Sequence, residues 1–297
     1  MEIGRAAYVA LVGRPNVGKS TLMNRLVGQK VAIVSQKPQT TRGRVMGVMN
    51  EEDAQIVFLD TPGVHRPKNK LGDAMLKSVG GAIFDVDLSV LVVEPVAAPG
   101  EPELELIQKL ESSGCPALLV INKIDEVKKE KLLAVISAYM ERFPFEAVLP
   151  VSARTGEGVD ALKAELLARA EEGPAFFPPE QYTDQSELEM VAEIIREKAL
   201  LLLDQEIPHG IAVDILTFER KREAFVINAD LYCEKASHKG IIIGRGGAML
   251  KELSSRARRE MEQLLGAKVY LKIWVKVRES WRDSDFQLGA LGFTKEN

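Results

Sequence analysis

Cysteine is almost absent. Cys115 and Cys233 are the two in 297 residues, and without a CxxC spacing they indicate neither a disulfide framework nor a zinc site; buried, reduced thiols are expected. The three histidines, His65, His209 and His238, are scattered, so no imidazole cluster is available for a metal. No apolar run approaches the roughly 18 to 20 residues of a membrane span, and the first residues lead into a strand pattern without a signal-peptide core. A cytoplasmic chain is expected. Net charge is −4, so the balance as a whole gives no reason to expect a nucleic-acid partner. The length favours two domains.

What is present is a phosphate loop. Gly13-Arg14-Pro15-Asn16-Val17-Gly18-Lys19-Ser20 follows the apolar run 6–12 and opens a helical pattern over 21–27. The spacing G-x-x-x-x-G-K-S has a cause: backbone N–H groups must turn inward around a polyphosphate while the main chain comes close, and Gly13 and Gly18 have no Cβ to prevent it. The new helix adds its free N–H groups and positive dipole end, Lys19 reaches the β/γ oxygens, and Ser20 is placed to ligate Mg²⁺. Asn16, Val17 and Thr21 complete the expected nucleotide-binding set in this loop. An ordinary strand-to-helix turn would require neither the Lys nor the Ser.

The segment 31–42 contains Gln39-Thr40-Thr41-Arg42 and suits a switch loop, in which one threonine, Thr41 in preference to Thr40, gives its hydroxyl to Mg²⁺. Two strand patterns joined as a hairpin follow. The second ends in Asp60-Thr61-Pro62-Gly63, where the carboxylate would hold Mg²⁺ and the Gly63 N–H would meet the γ-phosphate. Lys19, Thr41, Asp60 and Gly63 are therefore the expected catalytic set, and Ser20, Thr41 and Asp60 the metal set. Val64 cannot hydrogen-bond an attacking water, so slow unstimulated turnover is predicted; His65 reads as a surface residue.

The apolar strand 117–121 delivers Asn122-Lys123-Ile124-Asp125. A carboxylate at Asp125 can accept from guanine N1–H and N2–H₂, a pair of donors adenine lacks on that edge, so the nucleotide is GTP or GDP. Asn122 would pin the loop and Lys123 would stack along the base. The backbone amides of Ser152 and Ala153 are expected at guanine O6.

Residues 173–184 carry three prolines and a glycine and read as a stiff linker between a nucleotide domain, 1–172, and a second domain, 185–297. In the second domain Ile242-Ile243-Gly244-Arg245-Gly246-Gly247 forms a G-x-x-G turn between helices, which lets a nucleic-acid backbone approach peptide N–H groups. Ile243, Gly244, Arg245, Gly246, Gly247, Lys239 and Lys251 are the expected RNA contacts, with residues 241–243 and Leu250 as a groove floor. From Lys235 to Arg282 twelve Lys and Arg face four Asp and Glu, a local excess of eight positive charges on an acidic chain. Trp274 and Trp281 read as packing residues.

With these motifs in this order, the first part resembles the translation-factor-related GTPases, and the whole chain is similar to the bacterial Era family of KH-domain GTPases. That resemblance implies an α/β P-loop GTPase domain, with a mostly parallel six-stranded sheet and helices on both faces, followed by an α+β type II KH domain. It also implies, as partners, the 3′-terminal region of 16S rRNA and the 30S subunit during assembly, not DNA. Peripheral contact with the inner face of the cell membrane belongs to the same inference, although the sequence shows no anchor; a monomer is expected. Asn16 matches an asparagine that related GTPases use to hold K⁺ beside the β/γ-phosphates, and Val64 matches the family's hydrophobic substitution. A non-catalytic RNA chaperone with a structural nucleotide is the alternative, disfavoured by the complete switch set. A small-molecule kinase fails on the Asn-Lys-Ile-Asp motif.

Overall fold

The computed structural model describes residues 3–37, 40–51, 53–63, 69–75 and 86–291. The expectations placed on Gln39, Val64 and His65 lie outside the described residues. Two compact units are present, the first running to Asp184 and the second starting at Gln185, with residues 69–74 grouped with the second.

The first unit is built on β1 (Arg5–Val12), β2 (Val45–Glu51), β3 (Ala54–Asp60), β4 (Leu88–Val93), β5 (Ala117–Ile121) and β6 (Ala147–Pro150), in the order β2-β3-β1-β4-β5-β6. Only β2 is antiparallel to its neighbour along that path. This is the expected sheet, with one addition: β7 (Glu171–Glu172) pairs antiparallel with the start of β1.

Strand alternation sorts the core onto two faces. Ala7, Val9 and Leu11 of β1 point to one side, against Leu22, Met23 and Leu26 of α1 (Lys19–Val27) and Leu162 and Leu166 of α4 (Val159–Ala168). Ala10 and Val12 point to the other, against Leu106 and Leu110 of α2 (Glu101–Ser113) and Val135 and Tyr139 of α3 (Glu130–Met140). Because both faces are covered, the central strands read as unbroken apolar runs, and their carboxyl ends are left to carry the polar residues.

The proline-rich stretch is more than a spacer, for it is fastened to the first unit. Gln55, wholly buried on β3, donates to Phe177 O at 2.9 Å and accepts from the N–H groups of Phe176 and Phe177 at 2.8 and 2.9 Å. Val48 N–H on the edge strand β2 donates to Tyr182 O at 2.9 Å. The Phe176 ring lies 4.4 Å from that of Tyr8. Covering β2 in this way satisfies backbone groups that an open sheet edge would expose.

The second unit has a three-stranded sheet, β10-β9-β8, made by β8 (Ala212–Lys221), β9 (Ala224–Cys233) and β10 (Lys268–Val277). β9 runs antiparallel to β8 and parallel to β10. The parallel pair is joined through α6 (Ala236–Ile243) and α7 (Ala248–Leu265), and α5 (Glu187–Leu202) precedes the sheet. α5 starts at a capping box: Glu189 N–H donates to Ser186 Oγ at 3.3 Å and Ser186 N–H to Glu189 Oε2 at 2.8 Å. The helices share one core with Ile227, Ala229, Leu231, Ile273 and Val275 of the sheet. Trp281 is wholly buried and donates from Nε1 to Gly210 O at 2.9 Å, as its packing role requires. Trp274 departs from the packing expectation, because it stands on the exposed side of β10.

Candidate functional site

The nucleotide site forms where β1, β3 and β5 end. Gly18 opens α1 with φ +100°, and a Cβ there would lie 2.2 Å from Asn122 Nδ2, so this position requires glycine. Lys19 is buried, and its Nζ donates to Gly13 O and Arg14 O, each at 3.1 Å. Burial pulls its pKa below the ordinary lysine value, against the opposing pull of the Asp60 carboxylate.

Ser20, Thr41 and Asp60, separate in sequence, converge. Ser20 Oγ donates to Asp60 Oδ2 at 2.5 Å and lies 3.0 Å from Thr41 Oγ1, which is itself 3.2 Å from Asp60 Oδ2. Thr40 turns away and donates to Lys37 O at 2.6 Å, so the structure places Thr41 at this centre. Thr61 Oγ1 donates to Leu11 O at 3.0 Å and holds the end of β3 against β1. Gly63 lies so close to the phosphate loop that a Cβ would come within 2.4 Å of Pro15 N.

Asp60 is wholly buried; burial pushes its pKa above the ordinary aspartate value, with Lys19, Ser20 and Thr41 pulling the other way. Among the described residues its Oδ1 has no hydrogen-bond partner. A buried carboxylate with one orphaned oxygen, flanked by two hydroxyls, is a donor set suited to a hard divalent cation that takes oxygen ligands, and Mg²⁺ fits it.

The base pocket is braced from within. Asn122 Nδ2 donates to Val17 O at 2.7 Å, and Asn122 Oδ1 accepts from Ala153 N–H at 2.9 Å. Asp125 accepts from Ser152 Oγ at 2.5 Å and from Arg154 Nε at 3.0 Å, and these two neighbours hold its pKa below the usual aspartate value. One sequence expectation is corrected. The amides of Ser152 and Ala153 are committed inside the protein, to Glu157 O at 2.8 Å and to Asn122 Oδ1, so they do not stand ready for guanine O6. The two residues serve the pocket by bracing Asp125 and Asn122.

Glu94 was not singled out from the sequence. At the end of β4 it pairs with Lys123 and, at 3.4 Å, with Arg14, linking the Asn-Lys-Ile-Asp loop to the phosphate-loop motif; Arg14 also pairs with buried Glu103. The signal was available, since a carboxylate following a buried parallel strand sits where ligands bind in such sheets. Asn16 has φ +66° and donates from Nδ2 to Gln36 O at 2.6 Å, which ties the loop to the segment before Thr41.

In the second unit α6 ends at Gly244, and Gly244, Gly246 and Gly247 have φ of +73°, +56° and +80° before α7 begins. Added Cβ atoms at Gly246 and Gly247 would meet nothing within 4 Å, so the main chain is open to an incoming backbone. Arg245 and Lys251 are exposed and Lys239 is partly so. The groove-floor expectation is corrected at Ile242. That side chain is wholly buried in the core, Ile241 is exposed, and Ile243 and Leu250 pack partly against the core. Three successive isoleucines on a helix point about 100° apart, so one faces inward.

Comparison with known proteins matches residues 8–123 to the 50S ribosome-binding GTPase family and residues 206–282 to the KH domain family. Among curated relatives, GTPase Era of Ruminiclostridium cellulolyticum is 46% identical over 290 residues, 97% of each chain. GTPase Era of Clostridium acetobutylicum is 46% identical over 289 residues, 97% of this chain and 98% of its own. The solved structure of Era in complex with MgGDPNP and nucleotides 1506–1542 of 16S ribosomal RNA superposes with a TM-score of 0.95 at 37% identity, covering 98% of this chain and 100% of that one. A variant of Aquifex aeolicus Era bound to GDP·AlF4⁻ gives 0.94 at 37% identity with the same coverage. Since identity of this level runs through both units in one order, the chain belongs to the family of Era GTPases.

Proposed function

We propose that this chain binds and hydrolyses Mg²⁺-GTP and uses the bound nucleotide to control its hold on 16S rRNA near the 3′ end during assembly of the 30S subunit. The meeting of Thr41 with Ser20 and Asp60 carries the reading, because it closes only when the switch segment lies over the phosphate loop. The solved relatives support it, one holding MgGDPNP with ribosomal RNA and the other GDP·AlF4⁻, in which the aluminium fluoride stands in for the phosphoryl group in transfer. The partner places the work in the cytoplasm. Among the described residues no helix is long and apolar enough to cross a membrane, and peripheral membrane contact rests on the family resemblance alone.

In this account Lys19 and the amides of the phosphate loop neutralise and orient the β- and γ-phosphates. Ser20, Thr41 and Asp60 would hold Mg²⁺, which when bound would offset the negative charge that develops on the phosphates. Gly63 N–H faces the γ-phosphate, and its loss after hydrolysis releases both Gly63 and Thr41. Asp125 selects guanine, and Asn122 keeps that selection aligned with the phosphate loop. Asn16 would add K⁺ beside the β/γ-phosphates. The Gly244–Gly247 turn clamps the RNA backbone, with Arg245, Lys239 and Lys251 on phosphates.

Single-turnover hydrolysis by the full chain, with Thr41→Ala and Asp60→Asn as comparisons, tests the reading. Wild type should release phosphate slowly, and both variants should lose at least tenfold in rate while still binding GDP. Equal rates would remove the proposed metal site.

A further inference from the structure

The sheet of the second unit buries one side under its helices, and its other side carries an unexplained pattern. Along β10 the residues that alternate with buried Val269, Ile273 and Val275 are Lys268, Tyr270, Lys272, Trp274 and Lys276, all exposed. Tyr270 is 66% exposed and Trp274 38%. Rings four residues apart on a strand stand about 13 Å from one another, with a lysine before, between and after them. Lys272 Nζ sits 4.9 Å from the centre of the Trp274 ring, and beyond the strand Arg278 stacks on Tyr232 at 3.8 Å. β10 is also an edge strand.

The carboxylates on this side do not cancel the stripe. Asp230 is buried and taken up by Lys276 at 2.5 Å. Asp214 and Glu219 lie on β8, two strands away, and Glu219 pairs with Lys221 at 3.1 Å. Protein interfaces are depleted in lysine, whereas single-stranded nucleic acid is held by just this combination of flat rings for bases and cations for phosphates.

We propose that the exposed side of β10 is a second RNA surface, on which single-stranded RNA stacks bases on Tyr270 and Trp274 and sets phosphates against Lys268 and Lys272. This rests on the RNA-clamp reading above. It answers a need of that reading, because a G-x-x-G clamp holds about four nucleotides while the RNA seen with the solved relative runs from 1506 to 1542.

The test is equilibrium binding of RNA 1506–1542 of 16S rRNA to the full chain. It compares wild type, Tyr270→Ala with Trp274→Ala, Lys268→Ala with Lys272→Ala, and the clamp variant Gly246→Asp. Circular dichroism checks that each is folded. The ring variant, which removes two stacking platforms, should bind about 30-fold more weakly or worse, and the lysine variant should lower the slope of log K against log salt by about 1.4. RNA should quench tryptophan fluorescence in wild type but not in Trp274→Phe, since Trp281 is buried. If ring and lysine variants bind as wild type while Gly246→Asp weakens, the β10 surface is refuted and the clamp stands. If wild type does not bind this RNA, both fall. Should the ring and lysine changes abolish binding to vesicles of anionic phospholipid and leave RNA affinity intact, the surface belongs to a membrane and the proposal is overturned.

Discussion

Asn122 Nδ2 reaches Val17 O at 2.7 Å across 105 residues of sequence, joining the loop proposed to read the base to the phosphate-loop motif. Its other end holds Ala153 N–H. Asn122→Ala would leave the Val17 carbonyl and the Ala153 amide without partners, at about 1–3 kcal/mol each. Thermal unfolding should show that loss, and calorimetry should show GDP and GTP weakened together.

Base selection should follow Asp125 alone. Asp125→Asn replaces an acceptor with a donor, so GTP affinity should fall by about 100-fold or more while XTP, whose C2 oxygen accepts, binds better. Competition between the two nucleotides reads this directly. An unchanged preference for GTP would place the base elsewhere.

The metal site should show itself in pH dependence. Burial raises the pKa of Asp60 in the folded chain, so without metal its contribution to stability is present below the ordinary aspartate range and is lost as pH rises through the raised value. A bound cation favours the ionised form and reverses this. The gain in Tm from adding Mg²⁺ to the GDP-bound chain should therefore grow from about pH 4 to neutrality, and in Asp60→Asn it should be flat.

Gln55 should make the largest single contribution to holding the linker around Phe176 and Phe177. Gln55→Ala strips partners from two amides and one carbonyl of Phe176 and Phe177. A loss of about 2–4 kcal/mol in stability is predicted, with faster proteolysis within 173–184. Unchanged protection there would show that the proline-rich stretch holds itself.

How the residues disclose themselves differs across the chain. Gly13, Gly18, Lys19, Ser20, Asp60 and Asp125 stand out in the sequence because the phosphate and guanine chemistry proposed for them fixes both residue type and spacing. Lateral ties are not legible: Glu94 serves Arg14 and Lys123 from a third strand, and nothing local marks that service. The commitment of the Ser152 and Ala153 amides to neighbours likewise depends on tertiary geometry. Trp274 is a different case, for the alternation Lys-Tyr-Lys-Trp-Lys was readable as one side of a strand. Its size and apolar character instead suggested packing, which is true of Trp281 and not of Trp274.

The most direct measurement is the affinity of the full chain for 16S rRNA 1506–1542 when empty, with GDP, and with a non-hydrolysable GTP analogue in Mg²⁺. The proposed mechanism has the third phosphate hold Thr41 and Gly63 in place, so it predicts an analogue-bound form that differs from the GDP form by about 1–3 kcal/mol of coupling, or about 5- to 150-fold. Three equal affinities would contradict it.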